Sequence, residues 1–397
     1  MTPRSVRLLT HTSGWGGTEY YTSQLAGELA SRGCDVTLLE LGHDEYNQRG
    51  IDAPFSVVSL PIPAGLGQVG FWQWRRLFAP YRGGIWVLSK GAFEVRALKL
   101  DLVSKVSSDR YVTIEHLPAD PVLLRSTQRH LGGMVPGMGL WWCKEMLRDR
   151  SHLAAPDSIV TVSDAVRNRV LEHGAPAQKV ERIYPGIDLQ RFRFSDLDRS
   201  RQRQRWKVPN SAFVFGVVAR FHAIKRLDRI LHLFSKFQLP SDRVPPHLVL
   251  VGQGPEQENL AQLARKLGIG ERVRFVGWVD EGIESAYCAF DCFLMTSELE
   301  GLGFTLIEAM ACGSPCIATD SLGPREIISA TDLGWLITQD DWEGFLKAMR
   351  EVSGLSEAVR WEFRSRMRMH VEERFDAAKQ FPKIADQVLG TVIQERT

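Results

Sequence analysis

The stretch Ser297-Glu298-Leu299-Glu300-Gly301-Leu302-Gly303-Phe304-Thr305-Leu306-Ile307-Glu308-Ala309-Met310-Ala311-Cys312-Gly313-Ser314-Pro315 decides the fold, because a glycine-rich loop in it feeds a short apolar helix bracketed by two carboxylates. Gly301 and Gly303 let backbone N–H groups come close to an anion. A helix over 304–312 offers its positive N-terminal end to that anion. Glu300 precedes the helix and Glu308 lies inside it. A carboxylate beside a bound phosphate would repel it, so both are better suited to accept hydrogen bonds from neutral vicinal hydroxyls. The pattern predicts a clamp for a ligand carrying phosphate and sugar hydroxyls together, as a nucleotide sugar does.

Outward from this stretch, β-branched and apolar runs at 213–219, 247–251, 273–276, 292–295 and 315–319 alternate with helical patterns near 226–237, 256–267 and 304–312. That alternation predicts an α/β domain with a parallel sheet. The same alternation occupies the first half. A strand at 6–10 is followed by the turn Ser13-Gly14-Trp15-Gly16-Gly17 and a helix from Thr18 to about Ser31, and further runs stand at 36–39, 85–88, 111–114 and 158–162. Strand, glycine turn and helix open a Rossmann-like unit. Pro185 and Gly186 in the segment 183–188 mark a hinge, which places the boundary near residue 187.

With 397 residues and 44% hydrophobic content, the chain is long enough for two ordinary cores. Forty-nine Lys and Arg against 47 Asp and Glu leave a net charge of +2, which excludes a global pull toward nucleic acid. No apolar run reaches the ~18 residues of a spanning helix, and 1–17 lacks the apolar core of a signal peptide. A cytoplasmic protein is the expectation. Six cysteines, Cys34, Cys143, Cys288, Cys292, Cys312 and Cys316, fit a reducing compartment. Two C-x3-C pairs invite a zinc site. No His or Asp cluster accompanies them, and Cys292 sits in an apolar strand pattern, so small buried hydrophobes are the better account.

Arg220 and Lys225 stand at the C-terminal edge of the strand at 213–219, where open α/β sheets bind ligands. Glycine turns follow the next two strands, in Gly252-Gln253-Gly254-Pro255 and Gly277-Trp278. Gly16 and Gly17 at a helix N-terminus after the first strand are expected to point N–H groups into the interdomain crevice. The charge run 198–205 is expected to be a solvated helix face. In 71–82, Trp72, Trp74, Phe78 and Tyr81 mix with Arg75, Arg76 and Arg82. Such a mixture fits a packed helix with snorkelling arginines, and alternatively a peripheral contact at the inner face of a membrane. The apolar, glycine-rich 131–142 fits a loop for an acceptor.

Glu300 and Glu308 resemble the E-x7-E signature of retaining glycosyltransferases with the GT-B fold, family 4, also called glycosyl transferases group 1. Arg220 and Lys225 match that family's Gly-Arg-x4-Lys element, Gly16-Gly17 its GG loop, and 185–188 its interdomain segment. The chain departs in reading Leu302-Gly303-Phe304-Thr305 for the usual Phe-Gly-Leu-Val/Pro. Ala219 and Arg226 stand in place of glycines, and Pro185 in place of Asn. The resemblance implies two Rossmann-like α/β domains facing across a cleft. The first, 1–187, binds the acceptor and is joined by a returning helix over 377–397. The second, 188–376, binds the nucleotide sugar. It implies catalytic roles for Arg220, Lys225, Glu300 and His116. Gly16, Gly17, Gly277, Gly301, Leu302, Gly303, Phe304, Thr305 and Glu308 would hold the donor. It also implies that no metal or other cofactor is required.

The implied activity is transfer of a hexose-type sugar, with retained anomeric configuration, from a nucleoside-diphosphate sugar to a hydroxyl of a glycan, lipid-linked or small-molecule acceptor. Synthesis of cell-surface polysaccharide or glycoconjugate is the expected setting. A sugar-nucleotide epimerase or a glycan phosphorylase on the same fold, and a catalytically inactive scaffold, are the alternatives.

Overall fold

Short β-branched runs become the strands of two parallel sheets, one in each of two units. The computed structural model describes residues 3–11, 16–41, 46, 53–60, 70–90, 98–116, 153–239, 244–279, 282–328 and 333–391. The first unit is Met1–Pro185 with Ala378–Thr397, and the second is Gly186–Ala377. The segments 13–15 and 131–142, and Cys143, lie outside the described residues.

In the first unit the strands are β1 (Ser5–His11), β2 (Asp35–Leu41), β3 (Ser56–Leu60), β4 (Ile85–Lys90), β5 (Arg110–Glu115), β6 (Ser158–Thr161) and β7 (Val180–Arg182). They lie in the order β3-β2-β1-β4-β5-β6-β7, and every pairing is parallel. All six residues of β4 are buried, as a strand covered on both faces requires. The described helices are α1 (Gly17–Ser31), α2 (Phe71–Leu77), α3 (Leu98–Ser107) and α4 (Asp164–Glu172). Trp74 and Phe78 pack with Trp86, Leu88, Leu100 and Val103 into one core cluster. The segment 71–82 is therefore half core. Trp72, Arg75, Arg76 and Arg82 of the same segment are exposed.

The second unit repeats the design with β8 (Val214–Val218), β9 (His247–Val251), β10 (Val273–Gly277), β11 (Cys292–Met295), β12 (Cys316–Thr319) and β13 (Gly334–Ile337), ordered β10-β9-β8-β11-β12-β13. Its helices are α5 (Asp196–Arg205), α6 (Leu227–Lys236), α7 (Gln257–Lys266), α8 (Ile283–Ala289), α9 (Phe304–Ala311), α10 (Gly323–Ile328), α11 (Trp342–Gly354) and α12 (Glu357–Arg374). Strand order reverses beside β1 in the first sheet and beside β8 in the second. Those are the switch points at whose carboxyl edges such sheets bind ligands.

A last helix, α13 (Ala377–Leu389), carries the chain back into the first unit. It buries Phe381, Ile384 and Val388, and the Phe381 ring meets that of Tyr21 at 5.4 Å. Arg110 caps its end by donating to the carbonyls of Gln387 and Val388, each at 3.0 Å. The two places where the chain passes between units lie side by side. Ile187 donates its N–H to Phe375 O at 2.8 Å and accepts from Ala377 at 3.0 Å.

The charge run 198–205 is not simply a solvated face. It forms most of α5, and Arg203 is only 1% exposed. Arg199 and Arg203 grip the buried Asp291 at 2.6 and 2.7 Å, and the Asp291 carboxylate also accepts from Val214 N at 2.8 Å. The carboxylate that turns half this run inward lies 88 residues away from Arg203 in the chain. Among the described residues no helix is long and apolar enough to cross a membrane.

Candidate active site

The carboxyl edge of β8 opens into a 3-10 turn, Ala223–Lys225, and Arg226 then takes a left-handed conformation (φ 51°) that starts α6. This turn is tied to the loop after β11. Glu298 donates its N–H to Ile224 O at 2.9 Å, Thr296 Oγ1 lies 3.0 Å from the carbonyls of Lys225 and Arg226, and Arg226 pairs with Glu298 Oε1 at 2.5 Å. Lys225 is thereby held against Glu300. Its Nζ donates to Glu300 Oε1 at 2.5 Å, and Ser297 Oγ donates to the same oxygen at 2.7 Å. Glu300 itself is fixed by its backbone, which donates to Ser321 O at 2.9 Å and accepts from Gly323 N at 3.0 Å.

Gly301, Leu302 and Gly303 follow as a buried loop, and Gly303 stands at φ +104° as the N-cap of α9. A side chain there would be strained, which explains glycine at this turn. Phe304 and Thr305, half-buried, form the first turn of α9, in which Leu306 and Ile307 donate their N–H groups to Gly303 O at 3.0 and 3.3 Å. Glu308 comes one turn later. The Tyr287 hydroxyl donates to its Oε2 at 2.5 Å. Burial pushes the Glu308 carboxyl up to about 7, opposed by the Tyr287 hydrogen bond and by Arg191.

Arg220 lies half-buried just past β8. Beside it, Gly252 at φ +133° donates to Gly277 O at 2.8 Å, and a Cβ on Gly252 would fall 1.9 Å from Ala219 O. Only glycine allows the ends of β8, β9 and β10 to meet this closely. The second unit thus brings Arg220, Lys225, Gly277, Glu300, the 301–305 loop and Glu308 to one edge of one sheet.

The first unit has its own group at the carboxyl edge of its sheet. Gly16 is the N-cap of α1 and Gly17 its first residue. His116 follows β5, 8% exposed, with its Nε2 at 2.9 Å from Ser89 Oγ at the end of β4. Ser89 Oγ in turn lies 3.0 Å from Thr22 Oγ1 on α1. Burial lowers the His116 pKa to about 3, so the ring is neutral at physiological pH. Glu115 faces elsewhere. It pairs with the buried Lys90 at 3.4 Å, which also holds Asp101 at 3.0 Å.

Ser297, Tyr287, Ser89 and Thr22 touch these groups without any motif marking them. Only proximity in the chain hints at Ser297, three residues before Glu300. Among the described residues no group of three or more His, Cys, Asp or Glu side chains is placed to hold a metal ion.

Comparison with known proteins agrees with this layout. The model described as Glycosyltransferase Family 4 matches residues 15–191, and that described as Glycosyl transferases group 1 matches 198–370. N-acetyl-alpha-D-glucosaminyl L-malate synthase of Bacillus anthracis is 32% identical over 188 residues, 47% of this chain and 48% of that protein. Lipopolysaccharide core biosynthesis glycosyltransferase LpsE of Rhizobium meliloti is 38% identical over 150 residues, 38% of this chain and 42% of that one. The chain spans about half the length of the curated relatives it matches. Anabaena HepE, solved with UDP and glucose, superposes with a TM-score of 0.77 at 20% identity, covering 98% of this chain and all of that one. WaaG, a glycosyltransferase of lipopolysaccharide biosynthesis, gives 0.71 at 18%, covering 97% of this chain and 100% of that one. The two family models fall one on each half of a doubly wound pair of sheets, and on that footing the chain belongs to the GT-B glycosyltransferases of family 4, group 1.

Proposed function

We propose that this chain is a retaining glycosyltransferase that moves a hexose-type sugar from a nucleoside-diphosphate sugar to a hydroxyl of a glycan, lipid-linked or small-molecule acceptor. The observation that carries this reading is the Lys225–Glu300 pair set directly before the helix that bears Glu308. In this reading Arg220, Lys225 and the first N–H groups of α9 neutralise the donor diphosphate as its bond to the sugar breaks. Glu308 takes the ribose hydroxyls, and Glu300 takes hydroxyls of the transferred sugar. Lys225 exchanges its bond to Glu300 for one to the arriving phosphate.

The acceptor oxygen attacks the anomeric carbon on the face from which the diphosphate departs. The departing phosphate oxygen takes the acceptor's proton, so one C–O bond forms as another breaks and no enzymatic nucleophile is needed. Charge on the leaving group is met by cationic side chains and a helix end, which supports turnover without a metal. Gly16, Gly17 and His116 of the first unit contact the donor from their own sheet edge.

A role in cell-surface polysaccharide or glycoconjugate synthesis is supported by likeness to LpsE, named for lipopolysaccharide core biosynthesis. Peripheral contact with an anionic membrane is supported by the exposed Trp72, Arg75, Arg76 and Arg82. Calorimetry with UDP, GDP, ADP and their sugar conjugates, with and without EDTA, tests the donor. One diphosphate binding at micromolar concentration in EDTA, followed by NMR of a product with the donor's anomeric configuration, is expected. Failure of every nucleotide to bind, or an inverted product, sinks the proposal.

A further inference from the structure

Among the described residues four that are not glycine have positive φ: Lys207 (56°), Arg226 (51°), Leu322 (80°) and Asp340 (64°). Three of them have an ordinary reason. Lys207 is exposed just past the end of α5, where helices habitually place one left-handed residue. Arg226 closes the 3-10 turn before α6, and its carbonyl accepts from Thr296 Oγ1. Asp340 is of a residue type that tolerates this conformation. Leu322 has no such reason, because a bulky apolar side chain at positive φ is a genuine outlier.

The surroundings show what imposes it. Leu322 lies in the loop between β12 and α10 and is bridged to Glu300. Glu300 donates its N–H to Ser321 O at 2.9 Å, and Gly323 donates its N–H to Glu300 O at 3.0 Å, so 321–323 straddle Glu300. Gly323 is pressed against the next turn of that loop, where a Cβ would fall 2.3 Å from Leu302 Cα. Leu322 O accepts from Arg325 N at 3.1 Å as α10 begins. With both neighbours pinned, residue 322 must turn left-handed. Glycine would do so without strain. Strain of this kind persists where it serves a site, and here a leucine keeps it. Leu322 is only half-buried, and a bridge sets its backbone about 4.8 Å from that of Glu300, within the reach of an isobutyl group.

We propose that Leu322 is a specificity-determining residue, held in a strained conformation because its isobutyl group forms an apolar wall beside Glu300. This rests on the function proposed above, in which Glu300 accepts from hydroxyls of the transferred sugar. The wall meets a C–H face of that sugar. An epimer that turns a hydroxyl toward Leu322 leaves the hydroxyl without a partner and is rejected.

The test compares Leu322→Gly with Leu322→Ala in the full chain. Both remove the isobutyl group, and only glycine removes the strain. Leu322→Gly is expected to melt about 2–4 °C above Leu322→Ala, the reverse of the order at a residue of negative φ. Glucose, galactose and mannose conjugates of the nucleotide that binds are then assayed as donors. The ratio of kcat/KM between the best and the poorest of them is expected to fall about tenfold in both variants, while the Kd of the nucleoside diphosphate alone stays within about twofold. An alanine variant that melts at or above the glycine variant shows that residue 322 is not strained and overturns the proposal. An unchanged ratio in either variant does so too, since the isobutyl group then selects nothing. Failure of the glycosyltransferase reading looks different: no donor is turned over by the unaltered chain, and the melting order holds.

Discussion

Glu308 and Arg220 meet different charges during the proposed reaction and should fail differently. Glu308 accepts from neutral hydroxyls in ground state and transition state alike, so Glu308→Gln should raise the Kd of the nucleoside diphosphate about tenfold and move kcat little. Arg220 faces charge that grows as the diphosphate leaves. Arg220→Ala should therefore lower kcat by about 10²–10³ with a smaller change in Kd. Equal losses of Kd and kcat in both variants would contradict the division of roles. The Glu308 carboxyl, pushed up to about 7 by burial, adds a pH signature. Below that value it is protonated and surrenders acceptor capacity, so nucleotide affinity should rise between about pH 6 and 8 in the unaltered chain. The rise should be absent in Glu308→Gln, which calorimetry across that range would decide. For folding the sign is opposite. A raised carboxyl pKa favours the folded state at low pH, and that stability is lost as pH climbs from the unfolded value through about 7.

The helix and strand scale shows what local pattern reveals and where it stops. Central strands such as β4, β9 and β11 were legible as apolar runs because both faces are covered. The edge strands β3 and β13 were not, since each offers only a short apolar run, Val57-Val58 in β3 and Trp335-Leu336-Ile337 in β13, too brief for its period to mark a strand. The E-x7-E spacing and the Arg-x4-Lys turn were legible because each is set within one loop and one helix turn. Tyr287 against Glu308, and Ser89 against His116, were not. The first, across 21 residues, depends on how α8 packs against α9, and the second, across 27, on β4 and β5 ending side by side. The same limit hid the role of α5, whose Arg199 and Arg203 converge on Asp291. Burial alone would raise the pKa of Asp291, yet the two guanidinium groups and the Val214 N–H hold it below its ordinary value. Its stabilising contribution is accordingly full above an unfolded pKa near 4 and lost as pH falls through the lower folded value. Asp291→Ala strands two inward-facing arginines and should cost about 3–5 kcal/mol in urea unfolding. A loss under 1 kcal/mol would show that water, not Asp291, satisfies them.

At the scale of the whole molecule, a net charge of +2 conceals an uneven distribution. Between Asp52 and Glu94 the chain has no carboxylate, while Arg75, Arg76, Arg82 and Lys90 fall within that interval. Lys90 is buried and paired, which leaves three exposed arginines with no ion pair among the described residues. They share their layer of the first unit with unusual apolar exposure. Trp72 on α2 is 72% exposed, and Leu102 and Val106, one turn apart on the neighbouring α3, are 43% and 66% exposed. Leu100 and Val103 of α3 point into the core, so Leu102 and Val106 occupy its outer side. On the proposed membrane contact, this aromatic residue, the two aliphatics and the three arginines, Arg75 lying over the Trp72 ring at 5.4 Å, would meet an anionic bilayer surface. Arginines near such a surface contribute about 1 kcal/mol each, so the double substitution Arg75→Gln, Arg76→Gln should lower partitioning onto phosphatidylglycerol-containing vesicles about 30-fold. Trp72→Ala should weaken binding through lost apolar burial and leave its salt dependence intact. Vesicle flotation measures both. Equal binding to pure phosphatidylcholine, or binding that is indifferent to salt, would show that anionic headgroups do not select this face.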